Sequence, residues 1–464
     1  MRSVTGDLAP LRHGLAQLRT ELGLPTAFPP DVLTAASAAV AQDPTTSPEH
    51  VDRTDVPFVT LDPLGAVDLD QAFALEQAAG GVIVLRYAIA DVGWFVTDGD
   101  ALDGEAWRRG TTMYLPDGKV PLYPPILSER AASLLPEGPR PAVVFTVRLG
   151  DDGVPALDGV ERAVVRSRAR LAYETVTDAD LSPLLPEFAA RMAAGDAARG
   201  AARVDAPEQQ VVADDGGFRL EVRPRLASED RNAAMSLATN LAVAQLLLAA
   251  GTGLFRVMAE PDQRAVARLR HTASAMGVHW GRDESLADLE RRLDPRQPRD
   301  AAFMLAIRRA GGGASYVAYE QGVVPWHAAM AATYAHATAP LRRLADRHVC
   351  LAALDVAAGR PVRPAVDAAF PRLPAVMAEA DALGNKIDRS VIDLAEAVVM
   401  TGREGQLFDA VVTDEDERGV RIQLREPAVV ARLGANHVDP GDTVRVRLLE
   451  ADPARRLVRF ERVG

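Results

Sequence analysis

Apolar positions recur along this chain with two different periods, and the switches between them divide it. Over Leu8–Leu22, the leucines at 11, 15, 18 and 22 fall at helical spacing. Pro30 and Asp31 mark the start of a second short helix, Pro30–Gln42. The proline-rich turn Gly23–Pro30 separates them. The pair reads as a helix-turn-helix module or as a cap on the next domain, and the absence of a basic face favours the cap. From Asp52 to Ser167 the pattern changes to β. Val56–Leu61, Gly81–Ala90, Ala142–Leu149 and Val160–Val165 are apolar, β-branched runs of strand length, with a hairpin turn at Gly150–Gly153. Helical spacing then returns over Leu184–Arg203, Glu229–Ala250, Pro261–Met276, Asp300–Arg309, Ala339–Ala358 and Leu373–Thr401, with strands at Phe218–Val222 and Leu254–Ala259. Strands followed by helices, rather than alternating with them, predict an α+β fold with a mixed sheet flanked by helices. This order speaks against a doubly wound nucleotide-binding sheet. The last sixty residues are β again: Gly405–Val412, Gly419–Leu424, Ala428–Ala431, Thr443–Leu449 and Leu457–Arg462, with a sharp turn at Pro440-Gly441-Asp442. Five short strands predict an OB-type barrel, a fold used on single-stranded nucleic acid, with a small β-sandwich as the alternative. The expected division is a helical segment 1–50, a large α+β domain 51–402 and a barrel 403–464.

Composition narrows the class. With 464 residues, 48% hydrophobic and 25% charged, the chain can bury several ordinary cores. Met1–Gly14 lacks the apolar run of a secretory signal. The most apolar stretch, Leu241–Phe255, is interrupted by Gln245 and two glycines and is too short to span a bilayer. The single cysteine, Cys350, excludes an internal disulfide and a cysteine-based zinc site, and reads as a buried thiol. A cytoplasmic, monomeric protein is expected. The net charge of −12 argues against a general polyanion binder but leaves room for a local basic groove. Only Lys119 and Lys386 are lysines. Arginine suits phosphate and base contact, although a GC-rich genome would give the same bias.

The densest chemistry lies in Phe58-Val-Thr-Leu-Asp62-Pro-Leu-Gly-Ala-Val-Asp68-Leu-Asp70-Gln71. A strand fixes Asp62, and the Pro-Leu-Gly turn folds Asp68 and Asp70 back towards it. Three carboxylates held together repel one another unless a cation compensates them. Hard oxygen ligands suit Mg²⁺ or Mn²⁺, and paired ions of this kind serve phosphodiester hydrolysis. An EF-hand does not fit the register. A solvated acidic turn is the plain alternative for this segment taken alone.

The segment resembles the catalytic loop of the ribonuclease II/ribonuclease R family. Similar motifs follow in order: Asp91-Val-Gly-Trp-Phe-Val, Ala101-Leu-Asp103-Gly-Glu105-Ala, Arg109-Gly-Thr-Thr-Met-Tyr114-Leu-Pro-Asp117, Leu127–Pro136, Ala169-Arg170-Leu-Ala-Tyr173-Glu and Tyr334–Arg347. The tail from Gly405 resembles the S1-type OB fold of these enzymes. The resemblance implies a metal-dependent 3′→5′ exoribonuclease that releases 5′-nucleoside monophosphates from single-stranded RNA. It assigns Mg²⁺ (or Mn²⁺) to Asp62, Asp68, Asp70 and Gln71, with Asp70 central to catalysis and Arg342 clamping the scissile phosphate. It further places Tyr173 and Phe255 stacked on bases near the 3′ end, with Arg343, His336 and Asp388 as RNA contacts. Taken without the resemblance, the aromatics are core residues, Arg342 pairs with Asp346 one helical turn on, His336 is structural, and Asp388 sits in a helix-surface ion pair. Two departures stand out: Gln71 replaces the family's fourth acidic residue, and the first fifty residues are too few for two cold-shock barrels. A non-catalytic RNA-binding protein on the same fold is therefore the rival reading, and a DNA exonuclease is disfavoured by the resemblance alone.

Overall fold

The computed structural model describes residues 2–202, 208–214, 217–223, 225–294, 297–416, 419–427, 429–434, 438 and 440–463. Its centre is a seven-stranded mixed sheet. Across it run Ala169–Ala172, Val59–Asp62, Gln71–Gln77, Ile83–Ala90, Arg140–Leu149, Pro155–Val165 and Val51–Arg53. The long central strands Ile83–Ala90 and Arg140–Leu149 pair antiparallel from Ile83 opposite Leu149 to Ala90 opposite Ala142 and are buried nearly throughout. That is why their apolar runs are continuous in sequence rather than alternating. The strand Gln71–Gln77 has no such run. Gln71, Glu76 and Gln77 make it polar, and only Ala72 and Phe73 go fully into the core. Sequence pattern passes over it, although it carries part of the candidate site.

The helix Ala227–Ala249 crosses the sheet and buries Met235, Leu237, Ala238, Leu241, Val243 and Leu247. By length and composition it could cross a membrane, yet 67% of its most apolar window is buried inside the protein. It is a core helix. The strands Leu254–Val257 and Ser315–Ala318 pair antiparallel. Between them three helices, Gln263–Ala275, Leu286–Arg292 and Pro298–Ala310, gather a small core of their own around Leu269, Leu289, Phe303 and Ile307.

The C-terminal strands Leu407–Asp416, Gly419–Leu424, Val430–Leu433, Thr443–Asp452 and Leu457–Arg462 form one five-stranded antiparallel sheet. Its two outer strands lie against each other, giving a nearly closed OB-type barrel. Ala428, the expected start of the third strand, lies outside the described residues. The fold is α+β.

The first fifty residues pack on the rest of the chain and include a strand that the helical spacing does not show. Arg2–Asp7 is a strand, pairing antiparallel with Gly217–Arg223. The helix Leu8–Glu21 buries Leu11, Leu15 and Leu18 with Leu394 and the barrel residues in a second core, so closely that a side chain at Gly14 would meet Leu394. The helix Pro30–Ala39 joins the main core through Val32, Ala36 and Ala39. The helix Leu373–Met400 joins both cores, Leu373 and Met377 in one and Ile387 to Met400 in the other.

Candidate active site

Asp62 ends its strand, and the chain turns through Pro63 and Leu64 to Gly65, whose φ of +85° a larger residue would adopt only with strain. The return limb is stitched in place. Ser133 Oγ donates to Val67 O (2.7 Å) and accepts from Leu69 N (2.9 Å), while Leu134 N donates to Leu69 O (3.0 Å). Leu69 is wholly buried, so its neighbours Asp68 and Asp70 are held on either side of a fixed anchor.

Asp70 is buried, 4% exposed. Its carboxylate accepts from Leu341 N (2.7 Å) and from Arg342 Nε (3.2 Å). Burial pushes its pKa up to about 7, against the opposing pull of Arg342 and the Leu341 N–H. Asp62 is likewise raised to about 7 by burial, with Arg342 pulling the other way and Asp68 adding to the rise. Its Oδ2 is buried without a hydrogen-bond partner. Asp68 pairs with Lys119 Nζ (2.8 Å) and accepts from the Tyr114 hydroxyl (2.9 Å).

The helix expected from Ala339 begins only at Leu344. Pro340 disfavours helical geometry at Ala339, whose N–H instead donates to the Asp346 carboxylate at 2.8 Å. Arg342 therefore lies in a turn, with its carbonyl held by Thr112 N (2.9 Å). The ion pair expected between Arg342 and Asp346 is made by Arg343 instead, through two bonds of 2.8 and 2.7 Å. Burial alone would raise the Asp346 pKa, but Arg343 overrides it and holds the carboxylate low. Arg343 is thus engaged with Asp346, its side chain 25% exposed. Arg342, with a side chain 44% exposed, keeps a free face beside Asp70.

Gln71, expected among the metal ligands, has both its amide oxygen and its amide nitrogen bonded within the protein. Nε2 donates to Thr338 O (2.8 Å), while Oε1 accepts from the Tyr87 hydroxyl and from Ser236 Oγ (3.3 Å). Phe255 is wholly buried in the main core and presents no face to a base. His336 is tied through Nδ1 to the Tyr316 hydroxyl (2.8 Å), and burial, then Arg343, holds its pKa well below the usual histidine range. Its ring is held in place by that bond, and the low pKa favours the neutral form. Tyr173 stays at the site. Its N–H donates to Asp62 O (3.0 Å), its half-buried ring leads to a hydroxyl that accepts from Asn232 (2.7 Å), and burial, then Asp62, raises its pKa. Asp388 is exposed and lines two cavities of about 970 and 740 Å³, both shared with Tyr114 and Arg308.

Among the described residues, no three His, Cys, Asp or Glu side chains stand at metal-holding spacing. Lys119 and Tyr114 hold Asp68, and Arg342 holds Asp70. The donor chemistry nevertheless suits a hard divalent cation. A buried carboxylate oxygen without a donor, at Asp62, and two carboxyls raised by burial are both relieved by positive charge. Sequence reasoning misses Lys119, Tyr114, Tyr87, Ser236 and Thr338 as site residues. The first two carry a signal, lying in the motif Tyr114-Leu-Pro-Asp117-Gly-Lys119, which holds one of only two lysines.

Residues 50–353 match the RNB domain and residues 406–463 the RNase II-type exonuclease C-terminal S1 domain. Ribonuclease R of Thermotoga maritima is 25% identical over 91% of this chain, and Exoribonuclease 2 of Erwinia tasmaniensis 29% identical over 83%. This chain spans 63% of the length of each. A solved structure of Mycoplasma genitalium RNase R in complex with ribose-methylated single-stranded RNA superposes with a TM-score of 0.84 at 18% identity, covering 98% of this chain and 78% of that one. Yeast Ssd1, described as a pseudonuclease, superposes at 0.68 with 17% identity, over 88% of this chain and 53% of that one. These two likenesses concern the fold.

Proposed function

Because this chain belongs to the RNB-domain family of ribonuclease II-type exonucleases, we propose that it hydrolyses single-stranded RNA from the 3′ end and releases 5′-nucleoside monophosphates. The observation that carries this reading is the buried Asp70 carboxylate held by Arg342 beside Asp62 and Asp68. Residues distant in sequence meet there as an acidic group and a phosphate-binding fork. In this reading Asp62, Asp68 and Asp70 would hold Mg²⁺, with Mn²⁺ as the alternative. The ion would supply charge compensation and activation of water for attack on phosphorus.

The chain's own residues do the rest. The half-exposed face of Arg342 binds the scissile phosphate and stabilises charge on its oxygens. The Leu341 N–H orients the Asp70 carboxylate so that its other oxygen faces Arg342. Tyr114 and Lys119 hold Asp68 at the mouth of the site. Tyr173, whose backbone N–H bonds Asp62 O, offers an aromatic face for the terminal base, and Asp388 lies along the cavity wall. A monomer acting on RNA in the cytoplasm fits this assignment, with 51–402 as the catalytic unit and 403–464 as the RNA-binding barrel.

The rival is a protein that binds RNA without cutting it, favoured by the loss of the fourth carboxylate at Gln71 and by the fold shared with a pseudonuclease. One assay separates them. A 5′-labelled single-stranded RNA, incubated with Mg²⁺, should shorten from its 3′ end to mononucleotides, and EDTA should stop the reaction. Tight binding with no mononucleotide in any divalent metal would give the case to the rival.

A further inference from the structure

We propose that Gln71 is a positioning residue, whose amide ties the Thr338–Leu341 turn to the central sheet and so fixes Arg342 against Asp70. This inference deepens the exonuclease reading and rests on it. Gln71 stands opposite Ile89 in the antiparallel pair, which makes Tyr87 its diagonal neighbour on the same face. Tyr87 is wholly buried, and its hydroxyl donates to Gln71 Oε1 and lies 2.8 Å from Ser236 Oγ. The amide oxygen is thus pinned by two hydroxyls, one from the sheet and one from the helix Ala227–Ala249. With the oxygen fixed, Nε2 can point only at Thr338 O, where it donates at 2.8 Å. Three residues further along the same turn, Leu341 N and then Arg342 Nε reach the two oxygens of Asp70. Asp70 and Gln71 are adjacent in the chain, so one dipeptide grips this turn at both ends. A carboxylate at position 71 could accept from Tyr87 and Ser236 but could not donate to Thr338 O, and would repel that carbonyl. The amide is therefore suited to this grip, and its oxygen is already engaged by two donors.

The test uses the full chain with Gln71→Leu, Tyr87→Phe, the double variant and Gln71→Glu. Four quantities are read: the single-turnover rate at saturating RNA, RNA affinity, direct Mn²⁺ binding, and the rate of phenylglyoxal modification at Arg342. Gln71→Leu should lower the saturated rate about tenfold, on the order of 1.4 kcal/mol. RNA and Mn²⁺ affinities should stay within about twofold, and Arg342 should react faster. Tyr87→Phe should add nothing to Gln71→Leu in the double variant, since the two act in one network. An unchanged saturated rate, or a loss of Mn²⁺ affinity in Gln71→Leu, overturns the proposal. Should Gln71→Leu fail to fold, Gln71→Glu decides: a lower rate with unchanged Mn²⁺ affinity supports the grip, and tighter Mn²⁺ binding with an undiminished rate overturns it. If the wild type cuts no RNA, the exonuclease reading falls while the grip is still judged. Faster modification of Arg342 in Gln71→Leu supports it, and equal modification overturns it.

Discussion

Arg342 donates through Nε to the Asp70 carboxylate at 3.2 Å, joining two residues 272 positions apart. Asp70 is 5% exposed in its side chain and Arg342 44%. One partner is therefore anchored inside the protein while the other is half exposed. A buried acid paired to a half-exposed guanidinium sets an anion receptor beside a carboxylate.

Asp70→Asn keeps the shape of this arrangement and removes its charge. Turnover should fall by at least ~10³, about 4 kcal/mol of transition-state stabilisation, while affinity for a single-stranded RNA oligomer stays close to wild type. Single-turnover rates and filter-binding affinities on one preparation check this, and near-normal turnover removes Asp70 from the mechanism.

Arg342→Lys keeps the charge but loses the planar fork. A loss of roughly 10²–10³ in saturated rate is expected, the range seen when one transition-state donor is removed. Arg343→Lys should instead show itself in stability, because that fork holds the buried Asp346. Comparable rate losses in the two variants would mean that Arg342 has no special access to phosphate.

Asp62 and Asp70 both have pKa values raised to about 7. Protons compete with a cation for such groups, so metal binding should tighten as pH rises through this range. Mn²⁺ titrations followed by calorimetry at pH 6 and pH 8 should show higher affinity, and proton release per ion, at the upper value. Affinity independent of pH would show that these two carboxyls do not hold the ion.

Glu396 is buried where the helix Leu373–Met400 meets the barrel, with a pKa raised to about 8 by burial. Gln209 Nε2 (2.7 Å) and Val430 N (2.8 Å) both donate to Oε1, which leaves Oε2 to carry the proton. A folded pKa above the unfolded value means that stability is full below about pH 4.5 and declines as pH rises to about 8. Glu396→Gln supplies a neutral acceptor at the same place. It should melt near the wild type at pH 5 and above it at pH 9, by an amount on the order of a few kcal/mol. Parallel pH–melting curves for the two proteins would show that Glu396 is already ionised in the fold.

Strong, local signals are the ones legible in sequence. The apolar runs name the central strands and the long helices within a few residues, and the acidic loop announces itself by spacing. The strand at Gln71 is illegible because only two of its residues enter the core. Arg342 lies in a turn rather than on the expected helix, and Asp346 pairs with Arg343. Phe255 shows the opposite failure: resemblance gives an aromatic beside apolar neighbours a surface role, and packing puts it inside. The partners of Gln71 come from three distant segments, a relation that no local window contains.

The division of the N-terminal helices between two cores has a consequence for synthesis. The apolar face of Leu8–Glu21 packs on the long C-terminal helix around Leu394, so it has no finished binding surface until that helix has left the ribosome. The helix Pro30–Ala39, by contrast, can settle as soon as the central sheet forms. A newborn chain would therefore carry an early helix with a bare leucine stripe for most of its translation, the condition in which nascent proteins recruit holding chaperones. Long-range closure of this kind folds slowly, and ribosome-bound chains halted before residue 390 should expose that stripe to protease while the sheet is already protected.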